Sequence, residues 1–233
     1  MNKWQASLFC LLLLVLPSIS LAQLNADFTA AKSSGCSPVV VFFTNTSTGS
    51  PTSYLWDFGN GNTSTAVNPA AVYVNPGKYS VKLIVSNGST SDTIVKTDFV
   101  AVFQDPVADF AAPDTAGCSP LPVSFQDLSI PGDTSISSWS WDFGDGTVSN
   151  QQHPQHSFSP AGSYSISLVI EDENGCKSVA VKNNYVVATE TPVADFEMDT
   201  TTACTPPLTV NFTNQSQGAS LTYNWDFGTG ATS

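Results

Sequence analysis

The amino-acid sequence predicts an all-β protein built from tandem β-sandwich domains. Apolar and polar residues alternate along several short segments, as in strands that bury one face. Gly, Pro, Asn and Asp cluster between those segments, where turns are expected. The same order of segments recurs at a spacing of about eighty residues, which exceeds a solenoid unit and suits a small independent domain. No long segment beyond residues 1–22 has helical periodicity.

The first element, residues 1–22, is predicted to be a secretory signal peptide. Lys3 gives a positive start, and the following apolar run is too short to span a membrane comfortably. Ser20 and Ala22 supply the small residues of a cleavage site. The alternative is an uncleaved anchor, but no second hydrophobic segment follows. We therefore expect a secreted or cell-surface protein whose mature chain has no membrane span.

Composition excludes nucleic acid as a partner. The chain has 19 acidic residues against 7 basic ones, none of them arginine, and a net charge of −12. Such a surface repels phosphate backbones. Charged residues are only 11% of the sequence, well below the roughly 25% of ordinary domains. Polar surface comes instead from Ser, Thr, Asn and Gly, as is common in extracellular β-proteins.

Three copies of one motif series define the domains. Each copy opens with Ala-Asp-Phe, continues with a cysteine and reaches an aromatic strand that ends in Trp-Asp-Phe-Gly. The sequence predicts domain 1 at residues 23–104, domain 2 at 105–190 and an incomplete domain 3 at 191–233. Domain 3 lacks the later strands of the other two, so we expect the natural protein to continue past Ser233.

The aromatic strand and a later tyrosine strand are predicted to supply the core. In repeat 2 the residues Tyr164, Ile166, Leu168 and Ile170 share one face of a strand, while serines occupy the other. The aromatic residues around Trp-Asp-Phe-Gly alternate in the same way. The predicted core motif comprises Trp56, Phe58 and Tyr79 in repeat 1, Trp141, Phe143 and Tyr164 in repeat 2, and Trp225 and Phe227 in repeat 3.

Asp-Phe-Gly also occurs in protein kinases, where its aspartate holds magnesium. A kinase needs a His-Arg-Asp loop, and this chain has no arginine. We interpret the triplet as the end of a strand. Asn60-Gly61 and Asp145-Gly146 then offer the positive φ angles of a tight hairpin turn, so the carboxylate of Asp145 is expected to be dispensable.

The combined motif resembles the PKD domain. Trp-Asp-Phe-Gly-(Asp/Asn)-Gly is followed by Pro-x-Gly-x-Tyr in repeat 2, and repeat 1 has a close variant of that second part. The resemblance implies immunoglobulin-like β-sandwiches outside the cell. The Gly-Cys-Ser-Pro opening and the Glu-Asn-Gly-Cys hairpin of repeat 2 resemble the bacterial secreted or surface type of Bacteroidetes.

The cysteines suggest one disulfide. Cys118 and Cys176 lie in one repeat of an exported chain and flank most of its strands, so a Cys118–Cys176 bond is predicted. The alternative is two buried thiols. Repeat 1 has Ser89 near the place of Cys176, which leaves Cys36 unpaired or bonded between domains or chains.

No catalytic set or cofactor is predicted. His153 and His156 have no nearby metal-ligating partner in the chain, and we interpret them as part of a polar loop. Calcium is a secondary hypothesis, because some PKD domains bind it through loop carboxylates. The candidate ligands in this sequence are Asp142, Asp145, Glu171, Asp172 and Glu173.

The sequence therefore predicts a non-enzymatic function. The domains are expected to act as spacer and adhesion modules that contact extracellular protein or polysaccharide and the neighbouring domains of the same chain. The alternative is an accessory region that engages substrate for a larger secreted hydrolase, a protease or polysaccharidase, whose catalytic domain is not in this chain. Fold alone does not decide between the two.

Overall fold

A computed structural model describes residues 23–199, 206–218 and 221–228 of the chain. The predicted signal peptide at residues 1–22 and Cys204 lie outside the described residues. Within these ranges all regular secondary structure is β, which confirms the predicted fold class. No helix among them is long and apolar enough to cross a membrane.

Repeat 1 is a sandwich of two sheets, one of three strands in the order β1-β3-β6 and one of five in the order β2-β8-β7-β4-β5. The rings of Phe43 on β3 and Trp56 on β4 lie 5.5 Å apart, so the two sheets pack face to face. The strands are β1 (Phe28–Ala30), β2 (Ser34–Cys36), β3 (Val39–Asn45), β4 (Ser53–Asp57), β5 (Thr63–Ser64), β6 (Ala70–Tyr73), β7 (Gly77–Ser86) and β8 (Ser91–Phe103).

Repeat 2 has the same plan. Its large sheet runs β10-β17-β16-β13-β14, and the facing side consists of the pairs β11-β15 and β12-β9. The strands are β9 (Phe110–Ala111), β10 (Ala116–Cys118), β11 (Leu121–Ser124), β12 (Gln126–Asp127), β13 (Ile136–Asp142), β14 (Val148–Ser149), β15 (Gln155–Phe158), β16 (Gly162–Asp172) and β17 (Lys177–Thr189).

The core of repeat 2 forms where the two sides meet. Trp141 is fully buried, and its ring contacts those of Phe110 and Phe125 from the facing side at 5.2 and 5.5 Å. Strand β16 contributes every second residue, because successive side chains of a strand point to opposite faces. The buried apolar residues of β16 are Tyr164, Ile166, Leu168 and Ile170.

Contacts divide the chain into two compact units. The first contains residues up to Ser34 together with Pro38–Val74 and Lys78–Ala101. The second contains residues from Val102 onward and the short segments Gly35–Ser37 and Asn75–Gly77. The segment that carries Cys36 therefore belongs with the second unit, although its sequence is that of repeat 1.

The third repeat is represented by one strand pair, β18 (Phe196–Met198) with β19 (Phe212–Asn214). The aromatic rings cluster as in the other repeats: Phe212 lies 5.7 Å from Trp225 and 5.4 Å from Phe227. Here, however, Phe212 and Phe227 are exposed and Trp225 is only half-buried. Among the described residues, no counterpart of β16 covers this apolar face.

Candidate functional site

The turn after the aromatic strand is the most characteristic structure of each repeat. In repeat 2 the indole Nε1 of Trp141 donates a hydrogen bond to the carbonyl of Gln151 at 2.9 Å, which ties β13 to the segment after β14. Trp56 makes the same bond to Ala66 in repeat 1. The buried ring and its satisfied N–H identify this tryptophan as a structural anchor.

Glycines supply the positive φ angles in this turn. Gly144 and Gly146 have φ of 75° and 89°, whereas Asp145 is not among the positive-φ residues. The expectation that Asp145 itself adopts positive φ is therefore wrong. A Cβ on Gly144 would lie 2.5 Å from the carbonyl oxygen of Ser165, so only glycine fits there.

Asp145 instead stabilises the turn through its carboxylate. Its Oδ1 accepts hydrogen bonds from the Thr147 backbone N–H at 2.9 Å and from the Thr147 hydroxyl at 2.6 Å. Its Oδ2 pairs with Nε2 of His156 at 2.7 Å. Because a carboxylate only accepts, Nε2 carries the shared proton. The imidazole also stacks on Phe143, with ring centroids 4.3 Å apart.

The two histidines have separate partners. His153 accepts a hydrogen bond at Nδ1 from the backbone N–H of Asp127, at 3.1 Å. Asn68, its counterpart in repeat 1, accepts the equivalent bond from Asn45. His153 therefore has the same local role as the asparagine. His156 has no such counterpart, because Ala71 holds its place in repeat 1.

The five calcium candidates do not form one site. Asp142 is paired with Ser167 and Ser138 with Glu171, so Asp142 and Glu171 sit about 13 Å apart along β16 at a rise of ~3.3 Å per residue. Calcium needs its ligand oxygens at about 2.3–2.6 Å from a single centre. Asp142 and Asp145 belong to one end of the sheet, and Glu171, Asp172 and Glu173 to the other. No three of them come within 4.8 Å of one another in the described part of the chain.

The acidic group at the far end organises the β16–β17 hairpin. Asp172 is buried, and its Oδ1 accepts hydrogen bonds from the backbone N–H of Asn174 at 2.9 Å and of Cys176 at 2.8 Å. Glu171 pairs with Lys177 at 3.3 Å on the surface. These carboxylates hold the turn in the shape that places Cys176.

The predicted Cys118–Cys176 disulfide is wrong. Cys118 is paired with Thr189, the last residue of β17, whereas Cys176 directly precedes its first. The strand has 13 residues, so the two cysteines are roughly 40 Å apart at ~3.3 Å per residue. A disulfide requires Cα atoms within about 7 Å.

Cys176 is bonded instead to Cys36, with 5.5 Å between their Cα atoms. Of the alternatives that the sequence left for Cys36, the structure therefore shows a bond between domains. The carboxylate of Asp105 lies beside this bond and completes the one group of three metal-ligand types found among the described residues. Since the sulfur atoms are joined to each other, neither is the thiolate that a metal requires.

Sequence reasoning missed a lysine clamp in both repeats. Nζ of Lys182 pairs with Asp109 at 3.1 Å, donates to the carbonyl of Phe110 and lies 4.7 Å from the centre of the Phe110 ring. Lys96 holds Asp27 and Phe28 in the same way. The clamp explains the Ala-Asp-Phe motif. Its signal in the sequence is a lysine three residues before an aromatic residue near the end of each repeat.

The two repeats differ on the outer face of the smaller sheet. In repeat 1 that face is apolar: Phe42 is 69% exposed, and Val40 and Val72 are exposed side by side in register. The matching positions in repeat 2 hold Ser124, Pro122 and Ser157. An exposed apolar cluster of this kind is a candidate contact surface.

The carboxylates and histidines described above are thus engaged in turns and hairpins. Asp142 accepts the N–H of Gly144 at 2.8 Å, and Asp57 and Asp226 accept those of Gly59 and Gly228 at 3.1 and 2.9 Å. Asp145 and Asp172 are held by their own turns. The arrangement provides rigid loops, and no nucleophile, base and oxyanion donor converge on one point among these groups.

Comparisons with known proteins agree with the repeats. A family model described as a PKD domain matches residues 23–102 and 103–187, which together exceed half of the chain. The chain is 51% identical over 45 residues to Collagenase ColQ1 of Bacillus cereus (strain Q1), covering 19% of this chain and 5% of the relative. It is 42% identical over 55 residues to Pre-pro-metalloprotease PrtV of Vibrio cholerae serotype O1, covering 24% and 6%. The matches thus span only about a twentieth of these relatives.

Two solved structures of single domains are also similar. The PKD1 domain from Vibrio cholerae metalloprotease PrtV is 33% identical with a TM-score of 0.32, and the match covers 36% of this chain and 99% of that one. The PKD1 domain of Vibrio anguillarum Epp is 31% identical with a TM-score of 0.33, and the match covers 37% and 98%.

Proposed function

The chain belongs to the PKD domain family, and from this premise we propose that its sandwiches are non-catalytic extracellular modules. They space the parts of a larger protein and make contacts with extracellular protein or polysaccharide. The observation that carries the proposal is the engagement of the Trp-Asp-Phe-Gly carboxylates in their own turns. Asp57, Asp142 and Asp226 each accept a backbone N–H two residues onward, which is a structural use of the group.

The contact face is the outer surface of strands β3 and β6 in repeat 1. Val40, Phe42 and Val72 are exposed there, the exposed Val74 directly follows β6, and no charged residue belongs to either strand. A face of this kind favours apolar side chains of a protein partner, because it offers a polysaccharide few hydrogen-bonding groups. The polar counterpart in repeat 2 supports a role for repeat 1 in contact and for repeat 2 in spacing.

An extracellular location is part of the proposal. It is supported by the predicted signal peptide at residues 1–22 and by the disulfide between Cys36 and Cys176, since disulfides persist in oxidising compartments. The low content of charged side chains points the same way.

The second candidate is an accessory region of a secreted hydrolase. It is favoured by the similarity to a collagenase and a metalloprotease, in which the matched part is a small fraction of the whole. In that case the same apolar face would engage the insoluble substrate of a catalytic domain elsewhere in the protein.

Co-sedimentation tests the contact face. The chain from residue 23 to 233 is mixed with fibrillar collagen as the protein probe and with insoluble cellulose as the polysaccharide probe. Phe42→Ser and Val72→Ser place in repeat 1 the residues that repeat 2 already has, at exposed positions where folding is not at stake. We expect the double variant to lose binding to the protein probe.

The matched control is Ser124→Ala in repeat 2, which should leave binding unchanged. Equal binding of the double variant and the wild type would contradict the proposed contact face. Binding to cellulose alone would show that the partner is a polysaccharide and not a protein. Assays with casein, gelatin and soluble glycans test the non-catalytic proposal. Turnover that disappears in Asp145→Asn or His156→Ala would overturn it.

A further inference from the structure

The disulfide between Cys36 and Cys176 begins next to the proposed contact face. Strand β3, which belongs to that face, starts at Val39, and only Ser37 and Pro38 separate it from Cys36. A pull exerted on β3 by a bound partner therefore reaches the sulfur of Cys36 through a very short piece of backbone.

The other end of the bond lies where the chain leaves repeat 2. Cys176 directly precedes β17, after which the chain continues into repeat 3. β17 is antiparallel to β16 and paired with it over nearly its whole length. A strand rises ~3.3 Å per residue, which is close to the limit of a fully extended chain at about 3.3–3.6 Å, so tension along β17 adds almost no length.

The route through the peptide chain between the same two points is far longer. The two cysteines are 140 residues apart in the sequence, and the chain between them contains the strands from β3 to β16 and the buried Trp56 and Trp141. Tension along this route would pass through both sandwiches. A sandwich that unfolds under force releases its chain, and the connection then becomes longer.

We propose that the Cys36–Cys176 disulfide carries tension from the contact face to the rest of the protein. The force runs from β3 back to Cys36, across the two sulfur atoms and out through β17. The cores of both repeats then lie outside the path of the force, and the connection keeps its length even when they unfold. This mechanical function rests on the proposed function only for the place where the pull enters.

Both ends of the bond are fixed by their surroundings. Oδ1 of Asp172 accepts the backbone N–H of Cys176 at 2.8 Å, and the Cys176 side chain is fully buried. Beside Cys36, the N–H of Ser37 donates to the carbonyl of Phe103 at 3.3 Å. Since thiol exchange needs access to a sulfur atom, burial of Cys176 protects this end of the bond from external thiols.

Single-molecule pulling tests the proposal on the chain from residue 23 to 233. One handle is attached through an unnatural amino acid at Thr44, an exposed position on β3, and the other is attached at the C-terminus. The bond spans 140 residues, and a pull at Thr44 bypasses all but the few next to Cys36. At ~3.3 Å per residue, the fully extended wild type should be shorter than Cys36→Ser by roughly 400 Å.

A dithiol gives a second measurement that does not depend on how well Cys36→Ser folds. Treatment of the folded wild type should break the bond and add the same roughly 400 Å to its final extension. Cys118→Ser is the matched control, because Cys118 is exposed and free, and it should behave as the untreated wild type.

A core variant separates a path of force from stabilisation of the fold. In Trp141→Ala with the bond intact, the final extension should equal that of the wild type, because repeat 2 lies outside the path. In Cys36→Ser, the same replacement should let repeat 2 lengthen at a lower force than it does with Trp141 in place.

Three results would overturn the proposal. Equal final extension of the wild type before and after dithiol treatment would show that no force passes through the sulfur atoms. A longer Trp141→Ala with the bond intact would place repeat 2 in the path, and a longer Cys118→Ser would assign the tension to a different bond. Because the pull is applied through handles and no ligand is present, each of these results would leave the proposed contact face untouched.

Discussion

Nε2 of His156 lies 2.7 Å from Oδ2 of Asp145 while the imidazole stacks on the ring of Phe143. This pair joins the turn after β13 to strand β15 and so ties the two sheets of repeat 2 together. Repeat 1 has Asn60 and Ala71 at the same positions, so the pair belongs to repeat 2 alone. The stability of repeat 2 should therefore depend on pH through this pair, whereas repeat 1 has no such pair at this site.

Acid should weaken repeat 2 through Asp145. Partial burial acts to raise the pKa of Asp145, but hydrogen bonds from Thr147 and His156 outweigh it and hold the pKa below its ordinary value. Because the folded-state pKa is the lower one, this stabilisation is complete above about pH 4 and is lost as the pH falls through the folded-state value. Urea unfolding midpoints of repeat 2 should therefore fall more steeply below about pH 4 in the wild type than in Asp145→Asn.

The control for this prediction is Asn60→Asp, which supplies the carboxylate in repeat 1 without a histidine. In this variant the urea unfolding midpoint of repeat 1 should not fall in acid as steeply as that of repeat 2 does in the wild type. Parallel pH curves for the wild type and Asp145→Asn would show that the pair contributes nothing to stability. Replacing Asp145 should also cost more at neutral pH than the sequence suggested, since the turn uses both carboxylate oxygens.

Truncation of the buried tryptophan should unfold one repeat selectively. Trp141→Ala removes a fully buried ring and the donor to Gln151, so we expect the free energy of unfolding of repeat 2 to fall by about 3–5 kcal/mol. Trp56→Ala should do the same to repeat 1. Urea titration followed by circular dichroism measures both transitions. If either variant shifted both transitions equally, the repeats would not unfold as separate units.

Removal of the clamp lysine should destabilise repeat 2 more than removal of its acidic partner. Lys182→Met keeps the apolar stem but leaves the Phe110 carbonyl without its charged donor, a loss of about 1–3 kcal/mol. Asp109→Asn should cost less than about 1 kcal/mol, because the carboxylate is 55% exposed and its pair is partly screened. Urea unfolding compares the two variants, and the reverse order would refute the clamp.

The same lysine lowers the pKa of the neighbouring Asp109. Hydrogen bonds from Lys182 and from the Phe110 backbone hold the pKa of Asp109 below its ordinary value. In Lys182→Met that pKa should rise, as followed by nuclear magnetic resonance of the carboxyl carbon. Lys96→Met provides the parallel case with Asp27 in repeat 1.

Local patterns allowed much of the fold to be predicted. The alternation in β16 places Ile166, Leu168 and Ile170 in the core whatever strand lies beside them, because the side-chain period of a strand is two. Tyr79 follows the same pattern, yet it is only half-buried in the structure, whereas Tyr73 on β6 is buried beside it. Tyr164, at the matching position of β16, is buried, so the alternating pattern alone does not contain this difference.

Features that depend on distant register could not be predicted. Cys118 and Cys176 are in one repeat, but the parallel pairing of β10 with β17 puts them at opposite ends of a strand. The bond of Cys176 to Cys36 spans 140 residues of sequence. The pair of Asp145 with His156 likewise depends on which strand lies opposite the turn, and nothing near Asp145 in the chain indicates it.

The third repeat should be the first part of the protein to be digested by chymotrypsin. Phe227 is 42% exposed, while its counterpart Phe143 is buried beneath β15 and β16 of its own repeat. An aromatic cluster with an open face is held by fewer contacts, and its unpaired strand edges open easily. Limited proteolysis with mass spectrometry should find early cleavage after Phe227 and Trp225 and late cleavage after Phe143 and Trp141. Equal protection of Phe227 and Phe143 in a monomeric sample would show that β18, β19 and the aromatic cluster form a stable unit without a covering strand.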